Sequence, residues 1–408
     1  MSASKAILLV HMECLFPRVT GNQERVYRMA ERLSRDHVVD VATTVLNDGE
    51  LAASREGLRG VCRAFHPIAP INPTRRPLAR KLRRLQFLAV RRLLHHPHQY
   101  FYGGHPAVTA QLGDLVRQKR YDVVQVAYWY MARLFEGIGG GAFKAVDTLD
   151  VLSDKRRQEI EREHGGRVPA RRRRELDRYR DLEIRCLRLA DLVIAISGAD
   201  QRAFADLALG NDTLLVPIGQ DLAHFAPAGP AARVDDVVLF YGNMGSLSNR
   251  HAFVRLWRDI FPGIRQAVPG ARLLVVGANP PESIRRLHDG RNVIVTGYVD
   301  DVRPQLARAK VAVIPLEVAG GFRGRAVEMM AMEIPVIGTP RALDCVELTT
   351  GVDGIVTDSD AEMAAAAAAL LTDDARRRAM GAAARALVTA RYSLDATVGV
   401  LSEYYRAL

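Results

Sequence analysis

Short apolar runs rich in Val, Ile and Leu return along the whole chain, with helix-length segments between them, and no other feature constrains the fold as tightly. In the first half the runs are Ala6–Val10, Val38–Thr44, Asp122–Ala127, Lys144–Asp147, Leu192–Ser197 and Thr213–Pro217. In the second half they are Val237–Tyr241, Ala271–Val276, Val293–Thr296, Val311–Pro315, Pro335–Gly338 and Gly354–Val356. Continuous apolar runs such as Leu273–Val276 suit strands covered on both faces, which is the condition of a parallel sheet. Helical patterns intervene at Gln23–Arg35, Ala252–Gln266 and Arg323–Met332. The alternation predicts α/β, doubly wound architecture, present twice.

The break between the halves is read at the Pro/Ala/Gly stretch Phe225–Pro230. The predicted domains are therefore 1–227, 228–390 and a last helix at 391–408 that packs back toward the first domain. A length of 408 residues suits two cores, and 48% hydrophobic with 25% charged residues is ordinary globular composition. No apolar run reaches the roughly 18–20 residues that a membrane-spanning helix needs. The opening Lys5–Val10 run reads as a buried strand rather than a signal segment. The four cysteines are far apart, so a disulfide scaffold and a structural metal are both unexpected, and a cytoplasmic location is expected.

Two loops have the makings of anion sites. Pro17–Asn22 follows the first strand and opens a helix, where Gly21 and Asn22 offer free amides to phosphate, with Arg25 one turn further in. A glycine before a helix is also an ordinary structural turn. Leu316–Glu328 follows the strand Val311–Pro315. Gly320, Gly321 and Phe322 supply backbone amides, Arg323 and Arg325 supply charge, and Glu328 suits the vicinal hydroxyls of a ribose. An anion cradle followed by a hydroxyl acceptor is a nucleotide signature, although a plain Gly-containing turn with solvated arginines has the same composition.

The stretch GGFRGRAVEMMAMEIPVIGT (320–339) resembles the donor-site signature of the family 4 glycosyltransferases. FYGNMGSLSNRHA, PGARLLVVGANP and NVIVTGYVDDVRPQLARAKVAVIPL look like further family blocks, as do TGNQERVYRMAERLSRDHVVDVAT, YDVVQVAYWYMARL, VDTLDVLSDK, ADLVIAISGAD and LLVPIGQDLAHFAP in the first half. The variety most similar is the sugar transferases of exopolysaccharide loci. The resemblance implies the GT-B fold, two Rossmann-like domains facing each other across a cleft, and retaining transfer from a UDP- or GDP-linked sugar without a metal or other cofactor. It implies that Gly21, Asn22, Gly242, Asn243, Gly320, Gly321, Phe322 and Arg323 bind the donor. The base is then expected near Tyr298 and Val299, and the ribose at Glu328.

Arg325 is expected to carry the charge of the departing diphosphate, and Asp147 and Asp150, beside Ser153 and Lys155, to orient sugar or acceptor. The two aspartates equally suit the capping of the helix after Asp150. The chain departs from the family pattern at Gly320, where a Glu commonly stands, which leaves Glu317 as a candidate for the sugar hydroxyls. Gln125 stands where many relatives have His. Gly320 opens the alternative of a non-catalytic sugar-nucleotide-binding partner, and an epimerase-like relative is a further alternative.

The net charge of +11 sits almost wholly in the first half. Through Pro227 there are 36 Lys and Arg against 26 Asp and Glu, and after it 21 against 20. Arg75–Arg92 holds eight basic residues, Arg80, Lys81, Arg83 and Arg84 among them, with no acid and with leucines at helical spacing. Such a helix suits the anionic inner face of the plasma membrane, beside a glycan or lipid-linked acceptor, and equally a solvated helix packed on the core. Arg171–Arg174 is a second basic cluster. No nucleic-acid module accompanies the charge, so nucleic acid is not an expected partner.

Overall fold

The computed structural model of the chain describes residues 4–18, 20–68, 105–149, 151–207, 209–227, 235–317, 324–344 and 346–408. It divides into two compact units, Met1–Gly219 with Thr397–Leu408, and Gln220–Ala396. The division falls at Gly219, ahead of the Phe225–Pro230 stretch that the composition singled out.

The first unit is built on a seven-stranded sheet in the order β3-β2-β1-β4-β5-β6-β7, with every pairing parallel. Its strands are β1 (Ala6–His11), β2 (Val38–Thr44), β3 (Ala64–Ile68), β4 (Val123–Ala127), β5 (Phe143–Asp147), β6 (Leu192–Ala195) and β7 (Asp212–Leu215). Leu8, Val10, Val124, Val126, Val146 and Val193 point to one face, in a cluster with Leu112, Trp129, Leu134 and Leu187. On the other face lies α1 (Gly21–Leu33), started by a Thr20–Gln23 capping box and burying Val26, Met29, Ala30 and Leu33.

The helix Leu394–Ala407 enters the first unit at Thr397. There Val398, Leu401 and Tyr405 are buried, and the Tyr405 hydroxyl donates to Gln125 Oε1 at 2.7 Å. His37, at the start of the first unit's β2, meets the Ser402 carbonyl through Nε2 at 3.0 Å.

The second unit carries a six-stranded parallel sheet in the order β10-β9-β8-β11-β12-β13. Its strands are β8 (Val237–Tyr241), β9 (Arg272–Val276), β10 (Val293–Gly297), β11 (Val311–Ile314), β12 (Val336–Gly338) and β13 (Ile355–Val356). The two strand orders match: each steps outward from a first strand and then reverses to its other side. This is the doubly wound pattern, with a crevice at β1/β4 in the first unit and at β8/β11 in the second.

Two elements differ from the sequence reading. Strand β3 (AFHPI) escapes it because its periodicity is weak and Pro67 removes a donor, which only an edge strand tolerates. The helix expected at Ala252–Gln266 is interrupted by a π-turn over Leu256–Ile260, where Phe261 N donates to Leu256 O. Pro262 follows directly and cannot supply the amide of a regular turn. Among the described residues no helix is long and apolar enough to cross a membrane.

Candidate functional site

At the crevice of the second unit, β8 ends in Tyr241 and passes into the loop Gly242–Ser246. The loop is held tightly. Gly242 N donates to Val276 O at 3.0 Å, and Met244 N to Ala278 O at 2.8 Å. Asn243 Oδ1 accepts from Gly245 N at 2.9 Å and from Asn279 Nδ2 at 3.3 Å. Asn249 Nδ2 donates to Asn243 O at 2.8 Å. Gly277 makes this approach feasible: its φ is 148°, and a Cβ there would lie 1.9 Å from Gly242 O. Asn243 therefore shapes its own loop with its side chain.

The helix Gly324–Ala331 brings Arg325 and Glu328 to the same place. The exposed Arg325 guanidinium lies 5.1 Å from the centre of the Tyr241 ring. Burial pushes the Tyr241 phenol far above its ordinary range, the Glu328 carboxylate adds to the effect, and the Arg325 charge opposes it. Tyr241 thus has a neighbour of each charge, Arg325 over its ring and Glu328 within electrostatic reach. Arg250, one turn into the helix Leu247–Arg255, has a buried Nε with no acceptor among the described residues. Tyr298, just past Gly297 at the end of β10, is 73% exposed, while Val299 packs against the core. Glu317 is also exposed and lies 3.6 Å from Arg255 Nη1. Among the described residues, no three His, Cys, Asp or Glu side chains come together as a metal site requires.

In the first unit, α1 starts with Gly21 and Asn22, and a methyl group placed on Gly21 would meet no described atom within 4 Å. Arg25 does not face that opening. Its Nε and Nη2 make paired bonds of 2.7 and 2.9 Å to the Asp147 carboxylate, and each side chain is 1% exposed. Its remaining donors reach Val216 O at 2.9 Å and Pro217 O at 3.1 Å. Asp147 is thus the buried counter-ion of Arg25, tying α1 to β5. The helix Leu152–Glu163 has Val151 at its N-cap with no side-chain cap bond. Its first amides, Leu152 N and Ser153 N, are taken by the buried Glu183 carboxylate at 2.8 and 3.1 Å. Gln125 is likewise engaged, donating to Met29 Sδ and accepting from Tyr405.

Gly242, Asn243, Arg325 and Glu328 therefore converge on one crevice, whereas Asp147 is sealed into an ion pair. Asp150, Gly320, Gly321, Phe322 and Arg323, with the basic residues Arg80, Lys81, Arg83 and Arg84, lie outside the described residues. Tyr241 escaped the sequence reading. A tyrosine ending an otherwise apolar strand, directly before a glycine, was the available signal.

Comparison with known proteins places this crevice in context. The family model for glycosyl transferases group 1 matches residues 235–373. Two Mycobacterium tuberculosis sequences, strains CDC 1551 / Oshkosh and ATCC 25618 / H37Rv, are 32% identical over 247 residues. Each is a GDP-mannose-dependent alpha-(1-6)-phosphatidylinositol monomannoside mannosyltransferase; the match covers 53% of this chain and spans 62% of their length. Among solved structures, sucrose-phosphate synthase from Thermosynechococcus elongatus aligns with TM-score 0.67 at 17% identity, over 99% of this chain and 98% of that one. Anabaena HepE in complex with UDP and glucose gives 0.67 at 15%, over 99% and 100%. TarM gives 0.68 at 11%, over 99% of each chain. At these identities the likeness is one of fold, and the fold is GT-B.

Proposed function

We propose that the chain, whose residues 235–373 match the model for glycosyl transferases group 1, moves a sugar from a nucleoside-diphosphate sugar to a hydroxyl acceptor. The observation that carries this reading is the convergence of Arg325, Tyr241 and Glu328 on the Gly242 loop, at the crevice of a doubly wound sheet. In this reading Arg325 neutralises charge on the departing diphosphate, Glu328 accepts hydrogen bonds from the ribose hydroxyls, and Tyr298 lies against the base. Fixed positive charge and oriented amides stabilise a leaving diphosphate without reorganising during the reaction. Gly321, Phe322 and Arg323 complete the cradle by their place in the sequence. In the first unit, the open start of α1 at Gly21 and Asn22 suits an anionic oxygen.

The donor is proposed to be UDP- or GDP-linked; GDP-mannose is the donor named for the mycobacterial relatives. Transfer is proposed to retain anomeric configuration and to need no metal. The acceptor is proposed to be a glycan, lipid-linked or small-molecule hydroxyl. A peripheral position on an anionic membrane, through Arg80, Lys81, Arg83 and Arg84, follows from the charge asymmetry of the sequence. In liposome flotation, neutralising these four residues is expected to abolish association with anionic vesicles; persistence would remove them as the anchor.

The decisive experiment incubates the chain with UDP- and GDP-sugars in the presence of EDTA and follows release of the nucleoside diphosphate. Product NMR then reads the anomeric configuration. Release from one donor is expected. Nucleotide binding with no release from any donor, across a panel of acceptors, would favour a sugar-nucleotide-binding partner, the reading that Gly320 in place of Glu makes a competitor.

A further inference from the structure

In the first unit the crevice lies where the ends of β1 and β4 diverge, and two tyrosines stand there. Tyr128, directly after β4, has φ 72° and ψ 138°. Such a backbone conformation is ordinarily left to glycine, and a residue bearing a Cβ stays in it only where its surroundings hold it. They do so here. Tyr128 N donates to Asp147 O at 2.7 Å, and Asn22 Nδ2 at the start of α1 donates to the Tyr128 hydroxyl. The buried His11 ring lies 6.0 Å from the Tyr128 ring. Tyr128 stacks on Tyr130 with centroids 5.3 Å apart and planes 12° from parallel. Trp129, fully buried, meets Tyr130 edge-on at 5.8 Å.

Both tyrosines are half-buried: they pack against the core of the first unit and keep part of their surface open. The Asn22 bond and the stack on Tyr130 offset the strain of the Tyr128 backbone, and together they fix the two rings at the crevice. We propose that the Tyr128–Tyr130 pair is the platform on which a pyranose ring of the acceptor lies. The electron-rich face of an aromatic ring attracts the polarised C–H face of a sugar. The phenol hydroxyls and Asn22 give that apolar face a polar rim, which matches the two-sided chemistry of a pyranose and not that of a simple polyol. This inference rests on the glycosyltransferase reading and narrows its acceptor to one carrying a sugar ring.

Saturation-transfer NMR on the full chain tests it, with methyl α-D-mannopyranoside and methyl α-D-glucopyranoside as probes and glycerol as the ring-free control. Saturation of the pyranose ring protons, and none of glycerol, is expected. The signal is expected to fall about five-fold or more in Tyr130→Ala and in Tyr128→Gly, and to persist in Tyr130→Phe. Tyr128→Gly relieves the backbone angle but loses the Asn22 bond and the stack, so Tyr130→Ala, which leaves the Tyr128 backbone as it is, is read beside it with the fold of both checked by circular dichroism. Unchanged saturation in both ring-deleting variants overturns the platform. Calorimetry with UDP and GDP separates the two readings. If nucleotide binds and neither glycoside saturates, the platform falls and the transferase reading stands. If glycosides saturate through the tyrosines and neither nucleotide binds, the platform stands and the transferase reading falls.

Discussion

Replacing Arg25 by Met removes the cation from a pair whose two side chains are each 1% exposed. Asp147 loses both of its bonds to Arg25, and the carbonyls of Val216 and Pro217 lose a shared donor. Breaking a buried pair by deleting one partner costs about 3–5 kcal/mol, because the remaining charge stays out of water without compensation. At about 2–4 °C per kcal/mol for a unit of this size, the first unit's melting point is expected to fall by roughly 6–20 °C. The double variant Arg25→Met/Asp147→Leu is expected to recover much of the loss, since it removes the desolvation of both charges together. Two units need not unfold as one, so a single melting curve is the wrong readout. Hydrogen exchange in peptides covering α1 and β5 reports the first unit by itself. A cost below about 1 kcal/mol for Arg25→Met, or a double variant equal to the sum of the singles, would refute the reasoning. Activity adds a second axis. If Asp147 acts on substrate, Asp147→Asn will abolish turnover while exchange in β5 stays unchanged; if it is the counter-ion of Arg25, the two losses will appear together.

Glu328→Ala and Arg325→Ala are each expected to weaken UDP or GDP binding about 10- to 100-fold, as loss of one charge-assisted contact does; calorimetry showing unchanged affinity in both would sink the donor-site assignment. Tyr241→Phe, which keeps the ring but not the hydroxyl, is expected to weaken the same binding by a smaller factor, and equal affinity would show that the phenol positions neither group. Gly277→Ala is expected to cost about 2 kcal/mol or more, since its Cβ would lie 1.9 Å from Gly242 O, whereas Gly21→Ala meets open space and is expected to be tolerated; denaturant titration compares them. Burial lowers the pKa of His37 below 6.5, against the opposing pull of the Ser402 carbonyl and Asp36. The folded chain therefore takes up that proton later than the unfolded chain does. The stability is complete above pH 6.5 and is lost as pH falls through it, by at most about 1.4 kcal/mol per pH unit. Exchange in Thr397–Leu408 between pH 7 and 5 measures this, and His37→Gln is expected to flatten the profile. Asp40 behaves with the usual carboxylate sign. Burial pushes it up, but bonds from Arg63, Tyr121 and His66 outweigh that and hold it at about 2. Its contribution is present above about pH 4 and falls away only below that value.

The parallel sheets were legible in the sequence because strands covered on both faces must be apolar throughout, as Leu273–Val276 and Val237–Phe240 are. The expectation of an anion cradle from Gly320 onward rested on glycines, cations and a hydroxyl acceptor close together along one stretch of chain, of which Arg325 and Glu328 lie among the described residues. Edges were less legible. Strand β3 lacked the apolar signature that only the middle of a sheet demands.

What tertiary structure alone decided is how polar residues far apart in the chain spend their hydrogen bonds. Asp147 read as a group facing substrate because it ends a strand, yet Arg25, 122 positions away, consumes its charge. Tyr241 read as part of an apolar strand, yet Arg325 lies over its ring and the Glu328 charge is close by. The cap of the helix after Val151 came from Glu183, on a different helix. Apolar periodicity is a local property, repeated at every strand and helix, so a chain displays it residue by residue. The partner of a buried charge is chosen by whichever group the completed fold brings within about 3 Å, and that choice leaves no local trace in the sequence.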